Sequence, residues 1–330
     1  MPTESHSESL HDLLCVEIAE HGPLPFARFM ELALYHPTLG YYTRGAKPIG
    51  KSGDFYTASQ LQPVFGILMR QYFERLCEEH SLCPPRRMVE FGAGRGEMES
   101  AFAEWAYRSV EVHETLSEDI QSGFVFANEL FDAMPVNVGM RHGNGIYEKR
   151  VAWNEQGFAW SISPQPSAAL EDYANCYAVP AGDGFQFESH ERSLRFVRAL
   201  LAKSCDRLAV FVDYGYTARD WKRFPSGTLM SYRKHLAVDD VLKSVGTQDI
   251  TSHVPFHALL TVAEASGARV LRSERLSSAL LFAGEKDEFG SVLHTASEHE
   301  SFARRQQLKT LLYGFGESFH VIALWKDATS

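Results

Sequence analysis

An α/β fold, an open sheet with helices packed about it, is predicted by three observations. Apolar runs of strand length at 88–91, 124–127 and 208–212 break into polar residues at the same end: Glu90 with Gly92, Asn128 with Glu129, and Asp213. Helix-forming segments separate these runs. Residues 87–97 carry glycine at 92, 94 and 96, which reads as a strand turning sharply into a helix. In open α/β sheets ligands gather outside the carboxyl ends of the strands, so the polar residues ending each run are candidate binding groups.

The elements follow in order. Residues 10–20 and 25–35 form amphipathic helices, the second with Pro25 near its start. Residues 40–57 are a long glycine- and aromatic-rich loop, of a length usually tied to function. A helix over 62–80 precedes the strand at 88–91. Residues 110–114 alternate like a strand ending in Glu114. The buried strand at 124–127 breaks at Asn128, Glu129 and Asp132 before Pro135. From 136 to 187 short alternating segments, 145–153 and 157–162 on either side of a turn, predict an antiparallel β insertion. A helix over 188–203, a strand over 208–213, a helix ending near Leu312 and a last strand over 319–325 complete the sheet. The boundaries predicted are an N-terminal helical and lid region, 1–84, and a ligand-binding domain, 85–330.

The glycine turn lets backbone approach a nucleotide-like ligand closely, and Glu90 can accept hydrogen bonds at the strand's end. A dinucleotide fingerprint wants glycine or alanine where Glu97 stands, and an acid there opposes a pyrophosphate. S-adenosylmethionine (SAM) has no phosphate and carries a sulfonium cation, so it suits this loop better. Glu114, about twenty residues past the glycines, is placed to hold the ribose hydroxyls, with Glu111 as the rival. The alternatives are an ordinary strand-turn-helix without ligand, and Asn128 and Asp132 as turn or helix caps.

Composition bounds the function. With 330 residues, 45% of them hydrophobic, the chain can bury a large core and an accessory region. A net charge of −10 argues against nucleic acid and favours a basic substrate. Five scattered cysteines without a CxxC pair read as reduced thiols, and no metal site is predicted. No apolar run reaches membrane-spanning length, so no membrane insertion is expected. The polar N-terminus resembles neither signal nor transit peptide, so a cytoplasmic protein of bacterial type is expected.

These motifs together resemble the MidA-like SAM-dependent methyltransferases, which include mitochondrial complex I assembly factor seven. The resemblance runs from about Gly22 to Trp325. It rests on residues 22–27, 35–42 and 53–58 in the lid region; on Glu90, Phe91, Gly92, Ala93, Gly94, Arg95 and Gly96; and on residues 128–135, which match the family's NEFFDALP signature. Asp213 to Gly215, Gly227 to Leu229, His235 and residues 249–256 follow in family order. Gln60 and residues 267–273 depart from the pattern.

The resemblance implies a class I SAM-dependent methyltransferase fold, a Rossmann-like seven-stranded sheet with its final strand antiparallel, bearing a helical lid and a β insertion. It implies SAM as cofactor, held by Asp54, Thr57, Glu90, Gly92, Ala93, Gly94, Gly96, Glu114 and Asn128. It also implies a protein arginine as acceptor, on a respiratory complex I subunit or another assembly client. Glu129 and Asp132 are the candidates to clamp a guanidinium, and His253, with His235 as rival, to accept a proton. A homodimer stays open. So do two other functions, methylation of a small metabolite and a noncatalytic SAM-binding assembly factor.

Overall fold

A computed structural model describes residues 9–44, 58–111, 122–178, 182–233, 236–238, 240–295 and 297–328. The chain divides into two interleaved compact units. The first comprises Met1–Phe55, Ala133–Arg192 and Thr217–His253; the second comprises Tyr56–Asp132, Ser193–Tyr216 and Val254–Ser330.

In chain order, α1 (Leu10–His21), the two-residue β1 (Leu24–Pro25) and α2 (Phe26–Tyr35) open the first unit. A capping box between Ser9 and Asp12 starts α1, and Gly22 at φ 77° ends it. The second unit follows with α3 (Val64–His80), β2 (Arg87–Phe91), β3 (Ala106–Val110) and β4 (Gly123–Asn128). The chain returns to the first unit through β5 (Asn137–His142), β6 (Gly145–Asn154), β7 (Gly157–Pro166), α4 (Ala168–Tyr177) and β8 (Gln186–Ser189). Helix α5 (Glu191–Leu201) and β9 (Arg207–Tyr216) lead back to the second. Three short strands, β10 (Met230–Arg233), β11 (Leu236–Val238) and β12 (Asp249–Thr251), belong to the first unit. The second then closes with β13 (Val254–Pro255), α6 (Phe256–Ala265), β14 (Arg269–Arg275), α7 (Leu276–Glu285), α8 (Gly290–Leu293), α9 (Glu298–Thr310) and β15 (Phe319–Lys326).

The second unit is built on a sheet of order β14-β15-β9-β4-β2-β3, which the short β13 on β9 brings to seven strands. Strands β2, β3, β4 and β9 are parallel, and β15 runs antiparallel to both its neighbours. Every residue of β4 is buried, because elements cover both faces of a central parallel strand. Helix α3 buries Phe65, Leu68, Met69, Tyr72, Phe73 and Leu76 in this core. The Phe73 ring meets Phe102, Trp105, Phe124 and Phe126 edge-on at 5.4–6.3 Å. The boundary drawn from sequence at residue 84 groups α3 with α1 and α2; by packing it belongs with this sheet, because its apolar stripe covers it.

The first unit has an antiparallel five-stranded sheet, β1-β6-β5-β8 with β7 on β6, and a three-stranded sheet, β11-β10-β12. Leu14, Phe26, Phe29, Val138, Val151 and Ile250 share its core.

Three expectations change. The glycine turn does not run into an α-helix: turns lead to a single short helical turn, Glu99–Phe102. Gly92, Gly94 and Gly96 all have positive φ, 59–70°, which a right-handed helix excludes. The strand expected at 110–114 is β3, which ends at Val110. The β insertion also contains α4, capped by Ser167, whose Oγ accepts the Leu170 N–H at 3.4 Å.

Candidate functional site

The carboxyl ends of β2, β4 and β9 lie side by side in the second unit, with Phe91↔Ala127 and Asn128↔Val212 in register. The predicted polar residues therefore meet along one edge. Past β2, the left-handed glycines fold the chain back on itself, and the Gly92 N–H donates to the Val110 carbonyl at 2.9 Å. A β-carbon at any of these glycines would strain the backbone. Ala93, between them, is buried.

Glu90 is 3% exposed and accepts the Tyr107 hydroxyl at 2.5 Å. Burial pushes its carboxyl up to about 7, and the charges of Glu97 and Glu111 push the same way; the Tyr107 bond opposes them. A buried acid with acidic neighbours is a place where a cation gains most. Glu111, immediately after Val110, stands at the carboxyl end of β3. Glu114, Asp54, Thr57 and His235 lie outside the described residues.

At the end of β4, Asn128 is buried, and its Nδ2 donates to Glu129 Oε1 at 3.0 Å. Its Oδ1 is buried with no partner among the described residues. Glu129 has φ 52°, a left-handed conformation costly outside glycine, fixed by its N–H donating to the Val212 carbonyl at 2.9 Å. The segment continues into Phe131, whose ring packs edge-on against Phe196 and Phe211.

Asp213, read from sequence as the polar end of its strand without a role of its own, anchors this segment. It is fully buried; its Oδ2 accepts the N–H groups of Phe131 at 2.9 Å and Asp132 at 3.4 Å, and its Oδ1 that of Tyr214 at 2.9 Å. Burial, then Asp132 and Glu129, raise its carboxyl well above the usual range, while the backbone donors from Phe131 and Tyr214 oppose the shift. The only signal available in sequence was the third polar strand end. Beyond it, Gly215 has no room for a β-carbon, which would run into the Val254 carbonyl oxygen where β13 pairs with β9.

His253 lies in the first unit. Its ring is edge-on to Phe224 at 5.1 Å, and its N–H donates to Thr228 Oγ1 at 2.9 Å. Burial lowers its imidazole below the usual value, so it is neutral at pH 7. Among the described residues no cluster of three or more metal-ligating side chains occurs, and no helix is long and apolar enough to cross a membrane.

The second-unit edge fits an adenosyl sulfonium ligand. Three left-handed glycines leave room for close approach, an unpartnered buried amide oxygen offers an acceptor, and acids flank the turn where a pyrophosphate would be repelled.

Comparison with known proteins agrees. Residues 100–273 match the sequence model of a family described as putative S-adenosyl-L-methionine-dependent methyltransferase. Over 322 residues the chain is 25% identical to a Drosophila melanogaster protein named protein arginine methyltransferase NDUFAF7 homolog, mitochondrial, covering 80% of this chain and 72% of that one. The Homo sapiens protein arginine methyltransferase NDUFAF7, mitochondrial, is 23% identical over 327 residues, covering 80% and 70%. A crystal structure of a superfamily member from Burkholderia thailandensis bound to S-adenosyl-homocysteine superposes with TM-score 0.81 at 27% identity, covering 96% of this chain and 92% of that one.

Proposed function

We propose that this chain, which belongs to the family of putative S-adenosyl-L-methionine-dependent methyltransferases, uses SAM to methylate an arginine side chain of a protein client. One observation carries the choice of acceptor. Glu129 and Asp132, backed by buried Asp213, gather at the end of β4, one strand away from the glycine turn of β2. The names of the fruit-fly and human relatives support the same class of acceptor. The resemblance set out above extends the reading to a client in respiratory complex I assembly.

When bound, SAM supplies a methyl group on a sulfonium, and its transfer leaves a neutral thioether. The chain's own part is mainly alignment and field. The glycine turn admits the cofactor, Glu90 offers it a carboxylate, and the unpartnered Asn128 Oδ1 offers an acceptor. An arginine guanidinium, with a pKa of about 12.5 or higher, arrives protonated and is a poor nucleophile. Glu129 and Asp132 would hold two of its nitrogens by charge-assisted hydrogen bonds, drawing positive charge toward themselves and leaving the third nitrogen facing the methyl. Asp213 fixes the backbone that aims them. The proton that the methylated nitrogen gives up passes to one of the two carboxylates that already hold the guanidinium.

The test is incubation with methyl-labelled SAM and lysate from cells lacking this protein, followed by mass spectrometric mapping. Label on arginine of a discrete protein is the expected result. Label confined to a low-mass metabolite would replace the protein acceptor, and no label above background would refute transferase activity.

A further inference from the structure

Strand β7 ends the first unit's main sheet. It pairs with β6 from Asn154↔Gly157 to Lys149↔Ile162 and, past a register shift, at Tyr147↔Pro166, and with no other strand among the described residues. Its turn has two residues, Glu155 and Gln156, so Asn154 and Gly157 form the closing hydrogen-bonded pair. Ladder bonds then alternate: Gly157, Ala159 and Ser161 bond to β6, while the N–H and C=O groups of Phe158, Trp160 and Ile162 point out along the open edge.

Sheet edges are ordinarily blunted by charges, prolines or bulges. From 157 to 163 this strand has no charged residue and no proline, in a chain where 22% of residues are charged. Pro164 and Pro166 stand only at its far end, and the one register shift lies there too, between Tyr147 and Lys149 of β6. Ile162 is 44% exposed.

We propose that this edge pairs antiparallel with β7 of a second copy of this chain, about a twofold axis through Trp160. That register sets Trp160 opposite Trp160 of the partner subunit and Phe158 opposite Ile162 of the partner subunit. All three are outward-facing positions, so each forms a hydrogen-bonded pair, and their side chains share one face of the joined sheet. Phe158 and Trp160 already pack against the first unit's core, so the joined strands extend it.

Charge selects the occupant. In a twofold interface the strand faces itself, and any charge near the axis would meet its own like; a neutral segment in a chain of net charge −10 meets that condition. A charged peptide would find no complementary charge along β7.

Sedimentation of the full chain across a concentration series, joined to amide hydrogen exchange, tests this. The wild type is expected at twice the monomer mass, with the Phe158, Trp160 and Ile162 amides slowing as concentration rises. Ile162→Pro removes an outward N–H without touching the β6 ladder and should weaken the dimer by roughly tenfold or more at unchanged SAM affinity. Ile162→Thr, which keeps the N–H, should remain dimeric. A monomer at all concentrations, an unweakened dimer in folded Ile162→Pro, or amides slowed only by an added peptide would overturn the proposal. Should Ile162→Pro fail to fold, the wild-type exchange pattern decides.

Discussion

Lowering the pH from 8 to 6 should weaken SAM binding about tenfold through Glu90 alone. Its carboxyl is raised from 4.5 to about 7, first by burial and then by Glu97 and Glu111. With a value near 7, about nine-tenths of the ligand-free protein carries the carboxylate at pH 8 and about one-tenth at pH 6, and a cation favours the ionised form. The sign for stability is opposite. The folded value lies above the unfolded one, so the folded protein holds an extra proton between about 4.5 and 7. Stability from this group therefore falls as pH rises through that window, by about 3 kcal/mol in all. Bound SAM offsets that cost, which is why affinity and stability move apart. Calorimetric titration at pH 6, 7 and 8, in wild type and Glu90→Gln, measures it. The variant should bind more weakly at pH 8 and show a flatter pH profile. Equal wild-type affinity at pH 6 and 8, or the full wild-type slope surviving in Glu90→Gln, would exclude Glu90 as the group that couples SAM binding to pH.

Three further outcomes are expected. Gly94→Val places a β-branched residue at φ 59° inside the turn and should abolish SAM binding in a protein whose circular dichroism is retained; unchanged affinity would remove the turn from the site. With β3 ending at Val110, Glu111→Ala should weaken SAM binding at least tenfold, as expected from losing charge-assisted bonds worth about 1.5–3 kcal/mol each; a larger loss in Glu114→Ala would return the ribose to Glu114. Asp213→Ala strands buried N–H groups at about 1–3 kcal/mol each and should lower methyl transfer more than SAM affinity, whereas Asp213→Asn, which keeps an acceptor, should restore part of both stability and rate.

The fold class was legible because three strand ends repeat one pattern, apolar run then acid or amide, and that pattern survives without knowing the pairing; the family resemblance rests instead on spaced motifs such as 90–96 and 128–135. The bounds of the third strand were harder. Strand β3 is the sheet's edge, and its residues 106–109 are mostly solvent-facing, so they lack the apolar signal that residues 110–114 imitate by alternation. Helix α4 had its cap in view at Ser167, but ten residues inside a run of short strands read as more of the same. The three-stranded sheet β11-β10-β12 joins segments of three or four residues, too short for periodicity to register. The work of Asp213 could not be read at all, because it accepts N–H groups 81 and 82 positions earlier, a relation created only when β4 and β9 align.

Glu129 and Asp132 are proposed to serve a cationic acceptor while the glycine turn serves SAM. Near-isosteric neutral variants separate the two. Calorimetry and turnover on the mapped acceptor, run side by side for wild type, Glu129→Gln and Asp132→Asn, should show SAM affinity within a few-fold of wild type and methyl transfer reduced by roughly a hundredfold or more, the scale of losing preorganised electrostatic stabilisation. Full transfer in both variants would rule out this division of roles, as would loss of SAM binding in step with loss of transfer.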